Sequence, residues 1–79
     1  MNTIHKLYDI KPHEAARVVS IGEDCPLLRR FLDVGLTGGT RVKCAFRSPS
    51  GGMSAYIIRG AVIAIRDRDC EYVSVERCD

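Results

Sequence analysis

The chain has no surplus of one charge: twelve Lys and Arg stand against ten Asp and Glu, a formal net charge of +2. That balance carries no electrostatic footprint for nucleic acid. It also lacks any run approaching the roughly 20 apolar residues that cross a bilayer. The opening Met1-Asn2-Thr3-Ile4-His5-Lys6-Leu7-Tyr8 has no apolar stretch of the kind a secretory signal carries. A cytoplasmic location is therefore expected. Cys25, Cys44, Cys70 and Cys78 form no Cys-x-x-Cys pair, and without a secretion signal reduced thiols are the default. If Cys70 and Cys78 flank one continuous strand they lie about 26 Å apart, too far to share a metal. His5 and His13 are eight residues apart and distant in sequence from most of the cysteines. Neither spacing argues for a metal centre.

Catalytic motifs are missing too. There is no phosphate loop of the Gly-x-x-x-x-Gly-Lys-Ser type, no Gly-x-Gly-x-x-Gly, no His-Glu-x-x-His and no nucleophile elbow. Ser50-Gly51-Gly52 lies between two strand-like runs rather than before a helix, so it reads as a hairpin connection instead of a phosphate cradle. No enzyme and no cofactor are expected. With 79 residues the chain has room for a single domain, 1–79, with one small core.

What is present is a series of short strands with one helix set among them. Leu28, Phe31 and Leu32 recur at helical spacing, with Arg29, Arg30 and Asp33 between them. Asp24 is placed to cap this helix, Pro26 to sit in its first turn and Gly35 to end it in a left-handed conformation. The helix is predicted over about Pro26 to Val34, too short to be stable alone, so its apolar face must rest on a sheet. Strands are predicted over Ile4–Ile10 (weakly), Ala15–Ile21, Thr40–Arg47, Ser54–Arg59, Ala61–Arg66 and Glu71–Glu76. Lys11-Pro12-His13-Glu14, Thr37-Gly38-Gly39-Thr40 and Asp67-Arg68-Asp69 read as turns, and Gly60 as a tight bend or a bulge. Cys44 shares a face with Val42 and Phe46 and reads as a small core residue. Arg66 can lay its aliphatic stem along the barrel with its head at the rim. The fold class that follows is mainly β: a small, strongly bent barrel of five to six strands with one short embedded helix.

The stretch Arg30-Phe31-Leu32-Asp33-Val34-Gly35-Leu36-Thr37-Gly38-Gly39-Thr40-Arg41-Val42 resembles the signature of the FeoA family, small cytoplasmic accessories of the bacterial ferrous iron transporter. Tyr56 to Arg66, with Gly60-Ala61 at its centre, and Lys11 to Val18 are similar to two further portions of that family. The resemblance runs from about Tyr8 to Val75 and implies that the small barrel, mainly β with five to six strands and one short embedded helix, is SH3-like. His13 stands where the family usually has glycine, Gly38 where it usually has proline, and Gly52-Met53 where many members have an acidic residue and proline. A type I turn at Pro12-His13 would spare His13 a left-handed conformation. Gly38 leaves its turn less rigid by about 0.5 to 1 kcal/mol of unfolded-chain entropy.

The resemblance implies a non-enzymatic partner of the transporter FeoB, docking on its cytoplasmic GTP-binding part and modulating its assembly or nucleotide cycle. Such a protein meets the membrane only through its partner. The surface expected to make the contact is the outer side of the helix, Arg29, Arg30 and Asp33, with apolar residues left bare at its ends, Leu27 and Leu36. The plain alternative for the same arginines is a solvated helix face. The alternative function, from another class, is a stand-alone metal-sensing module related to the SH3-like C-terminal domain of metal-dependent repressors. Short strands leave open edges, so self-association stays open as well.

Overall fold

Turn chemistry and period-two alternation produce one antiparallel sheet that bends back on itself. The computed structural model describes residues 3–78. Its strands are β1 (Ile4–Lys6), β2 (Ala15–Ile21), β3 (Arg41–Arg47), β4 (Met53–Ile58), β5 (Ala61–Arg66) and β6 (Val73–Cys78). Two short helices, α1 (Leu28–Asp33) and α2 (Asp67–Cys70), and a 3-10 turn at Leu7–Asp9 complete the described elements. The strand order is β1-β6-β2-β3-β4-β5, every pair antiparallel. This is the six-stranded, SH3-like arrangement expected, with β1 and β5 as its two edges.

Curvature comes from bulges rather than from Gly60. The register of β2 against β6 shifts between Val18 and Ser20, and that of β3 against β4 between Cys44 and Phe46. The extra residues, Val19 and Ala45, bend their strands and tighten the twist, as a small barrel requires. Gly60 instead forms a two-residue hairpin turn with Arg59; both have positive φ, 84° and 51°, which is the type I′ geometry matched to strand twist.

The core is aliphatic with one tyrosine at its centre. Leu7, Ile10, Ala16, Val42, Cys44, Tyr56, Ile58, Val73 and Val75 are all almost or fully buried. Cys44 occupies the core as its alternation predicts. Phe31 delivers α1 into this cluster, with Leu28 packed partly against it. Leu32, assigned to the same face by periodicity, is instead 43% exposed.

Helix α1 departs from expectation at its start and agrees with it at its end. The helix begins at Leu28, with Leu27 as the half-helical residue before it and no side-chain cap. Asp24 lies three residues too early: two successive turns, Cys25 N–H to Gly22 C=O and Leu28 N–H to Cys25 C=O, separate its carboxylate from the free N–H groups. At the far end Gly35 has φ 105°, and Leu36 N–H bonds Phe31 C=O at 2.9 Å while Gly35 N–H bonds Leu32 C=O at 3.1 Å. This double closure satisfies the last carbonyls and brings Leu36 back onto Phe31 in the core.

Other departures are local. The extended run expected through Ile10 breaks after Lys6, where Asp9 Oδ2 accepts from Lys6 N–H and winds the 3-10 turn. Asp67–Cys70 closes into a single helical turn, so Cys70 does not lie on the strand that holds Cys78, and the last strand starts at Val73. All four cysteines are free thiols.

Candidate functional site

Between α1 and the edge strand β5 the surface opens into a cleft of about 860 Å³. One wall is Pro26, Leu27, Arg30, Phe31 and Val34; the other is Val62 to Arg66 of β5 with Met53, and Arg68, Asp69 and Tyr72 close its end. The size falls within the range typical of ligand clefts. Its lining is mixed: an apolar trough with Arg30, Arg66 and Arg68 along it and Asp69 as the one acid. Asp69 is only 8% exposed, whereas the three arginines are exposed, so the charge presented to solvent is positive.

The trough continues onto the outer face of the β3-β4-β5 meander. Phe46, Ala55 and Ala64 are neighbours across three strands, and Lys43, Ile57 and Val62 make the next row. Phe46 (56%), Val62 (62%), Met53 (40%) and Ile57 (37%) stand in solvent. Large apolar side chains gathered on one face in this way mark contact surfaces more often than isolated exposed ones do.

Of the five residues expected to meet a partner, four are at the surface and one is not. Leu27 is half-buried and lines the cleft together with exposed Arg30, while Arg29 and Asp33 are exposed on α1. Leu36 is completely buried, which corrects the expectation that it stands bare at the helix end. The physical reason is the left-handed Gly35, which folds Leu36 inward instead of letting it trail off the helix. The opposite wall, Met53, Val62, Ala64 and Arg68, was not singled out from sequence. The available signal was that Val62 and Ala64 share a parity with Arg66 on β5 and so point away from the core.

A second, shallower concavity surrounds the Thr37–Thr40 turn with Arg41 and Arg59. Arg59 lays its stem on Gly35, where an added Cβ would clash with it, and its guanidinium reaches the hydroxyls of Thr37 and Thr40 at 3.4 Å. Arg17 donates to Gly39 C=O at 3.2 Å.

Three interior groups, Tyr56, Cys70 and Cys44, are held neutral by burial. The Tyr56 hydroxyl lies 3.6 Å from the Cys70 sulfur and 3.5 Å from Leu7 C=O. Burial pushes Tyr56 far above the usual phenol range, and the nearby Cys70 adds to the effect. Burial likewise raises the Cys70 thiol to about 11 and moves Cys44 upward. At neutral pH these groups are packing atoms with no thiolate character. Among the described residues no group of three His, Cys, Asp or Glu is placed to hold a metal ion, and no helix is long and apolar enough to cross a membrane.

Comparisons place this architecture among known proteins. The profile of the FeoA domain matches residues 5–77. The FeoA-like protein of Clostridium acetobutylicum superposes with a TM-score of 0.89 at 22% identity, covering 100% of this chain and 92% of that one. The FeoA protein of Chlorobium tepidum superposes at 0.87 and 25% identity, covering 95% of this chain and 71% of that one. A manganese-dependent transcriptional repressor superposes at 0.85 and 20% identity over 95% of this chain but 41% of its own length, a likeness of fold. No curated protein matches the chain by sequence.

Proposed function

The chain belongs to the FeoA family, and from that premise we propose that it is a non-enzymatic accessory of bacterial ferrous iron uptake, docking on the cytoplasmic GTP-binding part of the transporter FeoB and modulating its assembly or nucleotide cycle. The observation that supports docking is the arginine-rimmed apolar cleft beside α1, with Leu27 and Arg30 on its wall and Arg29 and Asp33 on the adjoining helix surface. Exposed apolar area rimmed by charge is how protein contacts are built. Such a protein works in the cytoplasm and reaches the membrane through its partner alone. The test is binding of the full chain to the purified cytoplasmic part of FeoB, with and without guanine nucleotide. Arg29→Glu combined with Arg30→Glu is expected to weaken that binding at least tenfold while circular dichroism stays unchanged. Undiminished affinity in the folded double variant would remove α1 from the interface.

A second reading draws on the likeness of fold to the manganese-dependent repressor: a stand-alone metal-sensing module. Anaerobic titration with ferrous iron separates the two. Saturable micromolar uptake favours sensing, and a flat titration favours docking.

A further inference from the structure

Among the described residues, strand β5 is paired on one side only. In a hairpin closed by the two-residue Arg59–Gly60 turn, Ala61, Ile63 and Ile65 exchange hydrogen bonds with β4, so the N–H and C=O groups of Val62 and Ala64 point the other way. Among the described residues, the backbone hydrogen bonds outside the strand ladders involve neither of them. Folded proteins ordinarily blunt such an edge with a proline, a bulge, a very short strand or a cover. The other edge, β1, has three residues and ends in a 3-10 turn. By contrast β5 runs six residues, Ala-Val-Ile-Ala-Ile-Arg, in unbroken register with β4 and without proline. Helix α1 lies opposite this edge but stands off from it, and the cleft is the space between them.

We infer that the free edge of β5 accepts an extended, acidic segment of a partner protein as an added strand of the sheet. The four outward backbone groups of Val62 and Ala64 supply the pairing, and they recur at the two-residue spacing of a strand. Alternate apolar side chains of the segment enter the trough between Leu27 and Ile63. The acidic ones meet Arg30, Arg66 and Arg68, three exposed arginines against one buried acid, Asp69, among the residues that line the cleft. Strand addition draws affinity from main-chain bonds and specificity from alternate side chains, and the charge at this cleft selects carboxylates. The inference deepens the docking proposal and rests on it for the identity of the protein that supplies the strand.

The experiment is residue-resolved amide hydrogen exchange on the full chain with three probes: the cytoplasmic part of FeoB, a soluble peptide of alternating valine and glutamate, and its valine–lysine counterpart. The FeoB part and the glutamate peptide are expected to slow exchange at Val62 and Ala64 at least tenfold, and the lysine peptide to leave both unchanged. Arg30→Glu with Arg68→Glu should abolish protection by the glutamate peptide. Ala64→Pro, which removes an outward N–H and no ladder bond, should do the same. If the FeoB part binds while Val62 and Ala64 exchange at the free rate, docking stands and the edge inference falls. If the FeoB part does not bind but the glutamate peptide protects both amides, the edge inference stands and the docking reading falls. Failure of the glutamate peptide to protect, equal protection by both peptides, or protection that rises with protein concentration alone, which would make a second copy the occupant, each overturns it.

Discussion

His13 holds φ 75° at the third position of a turn closed by Glu14 N–H to Lys11 C=O at 2.9 Å. A type I turn would avoid that conformation, but two further bonds leave no choice. Lys11 N–H reaches the Glu14 carboxylate at 2.9 Å, and His13 N–H reaches Cys44 C=O at 2.8 Å, tying the turn to β3. A side chain in this region costs about 1 to 2 kcal/mol, and the extra unfolded freedom of glycine costs about 0.5 to 1 kcal/mol. His13→Gly is therefore expected to stabilise the fold by roughly 0.5 to 1 kcal/mol. The Thr37–Thr40 turn invites the converse change. Thr40 N–H bonds Thr37 C=O at 3.0 Å and Gly39 has φ 89°, the type II pattern that favours proline at Gly38. Gly38→Pro should add about 0.5 to 1 kcal/mol by restricting the unfolded chain. Both gains are read as higher urea midpoints with unchanged slope. Turn positions were legible because their chemistry is local; the conformation of His13 was not, because a distant strand imposes it.

Arg47 shows how the separate segments are fastened together. Its guanidinium donates to Tyr8 C=O at 2.7 Å, Ile10 C=O at 3.0 Å and Ser54 Oγ at 3.1 Å, and it lies 4.2 Å from the centre of the Tyr8 ring. Ser54 in turn donates to Asp67 Oδ1 at 2.9 Å at the start of α2. One side chain thus joins the 3-10 turn, β3 and β4, and through Ser54 reaches α2. Arg47→Ala is expected to cost about 2 to 3 kcal/mol, from charge-assisted hydrogen bonds and lost stacking. Arg47→Lys should recover only a minor part, since an ammonium cannot reproduce the planar fork. Urea denaturation of the two variants measures the difference. By contrast the exposed Arg77–Glu14 pair, 3.2 Å apart, contributes little. The helix terminus at Gly35 and the strands flanking Gly60 could be read from spacing. The fastening by Arg47 could not, because its carbonyl partners lie 37 and 39 residues away in the chain.

For the molecule as a whole, buried thiols set the alkaline limit. The Cys70 thiol rises from 9.0 to about 11, mainly through burial, so its contribution is complete below pH 9 and is lost as the pH climbs through 11. Two pH units correspond to roughly 3 kcal/mol, comparable with the whole stability of a domain this small. Cys44 and Tyr56 shift in the same direction. Thermal melts in reducing buffer should therefore show the midpoint falling steadily above pH 9, and Cys70→Ala should flatten that decline. Glu14 acts at the other end: its backbone bond to Lys11 holds its carboxyl below the usual 4.5, so its stabilising effect is present at neutral pH and fades as acid takes the pH below that value.

Period-two alternation, helical spacing over Leu28–Phe31 and the glycines at positive φ determined the strands, the short helix and its end, because each depends on backbone preferences within a few residues. The signature around Gly35 also carried the family. Which strand would be left at the edge, that α1 would stand opposite it, and that Leu36 would turn inward were decided only when segments about thirty residues apart packed together. Pairing order and burial are long-range quantities, and the cleft with its three arginines exists only where those distant choices meet.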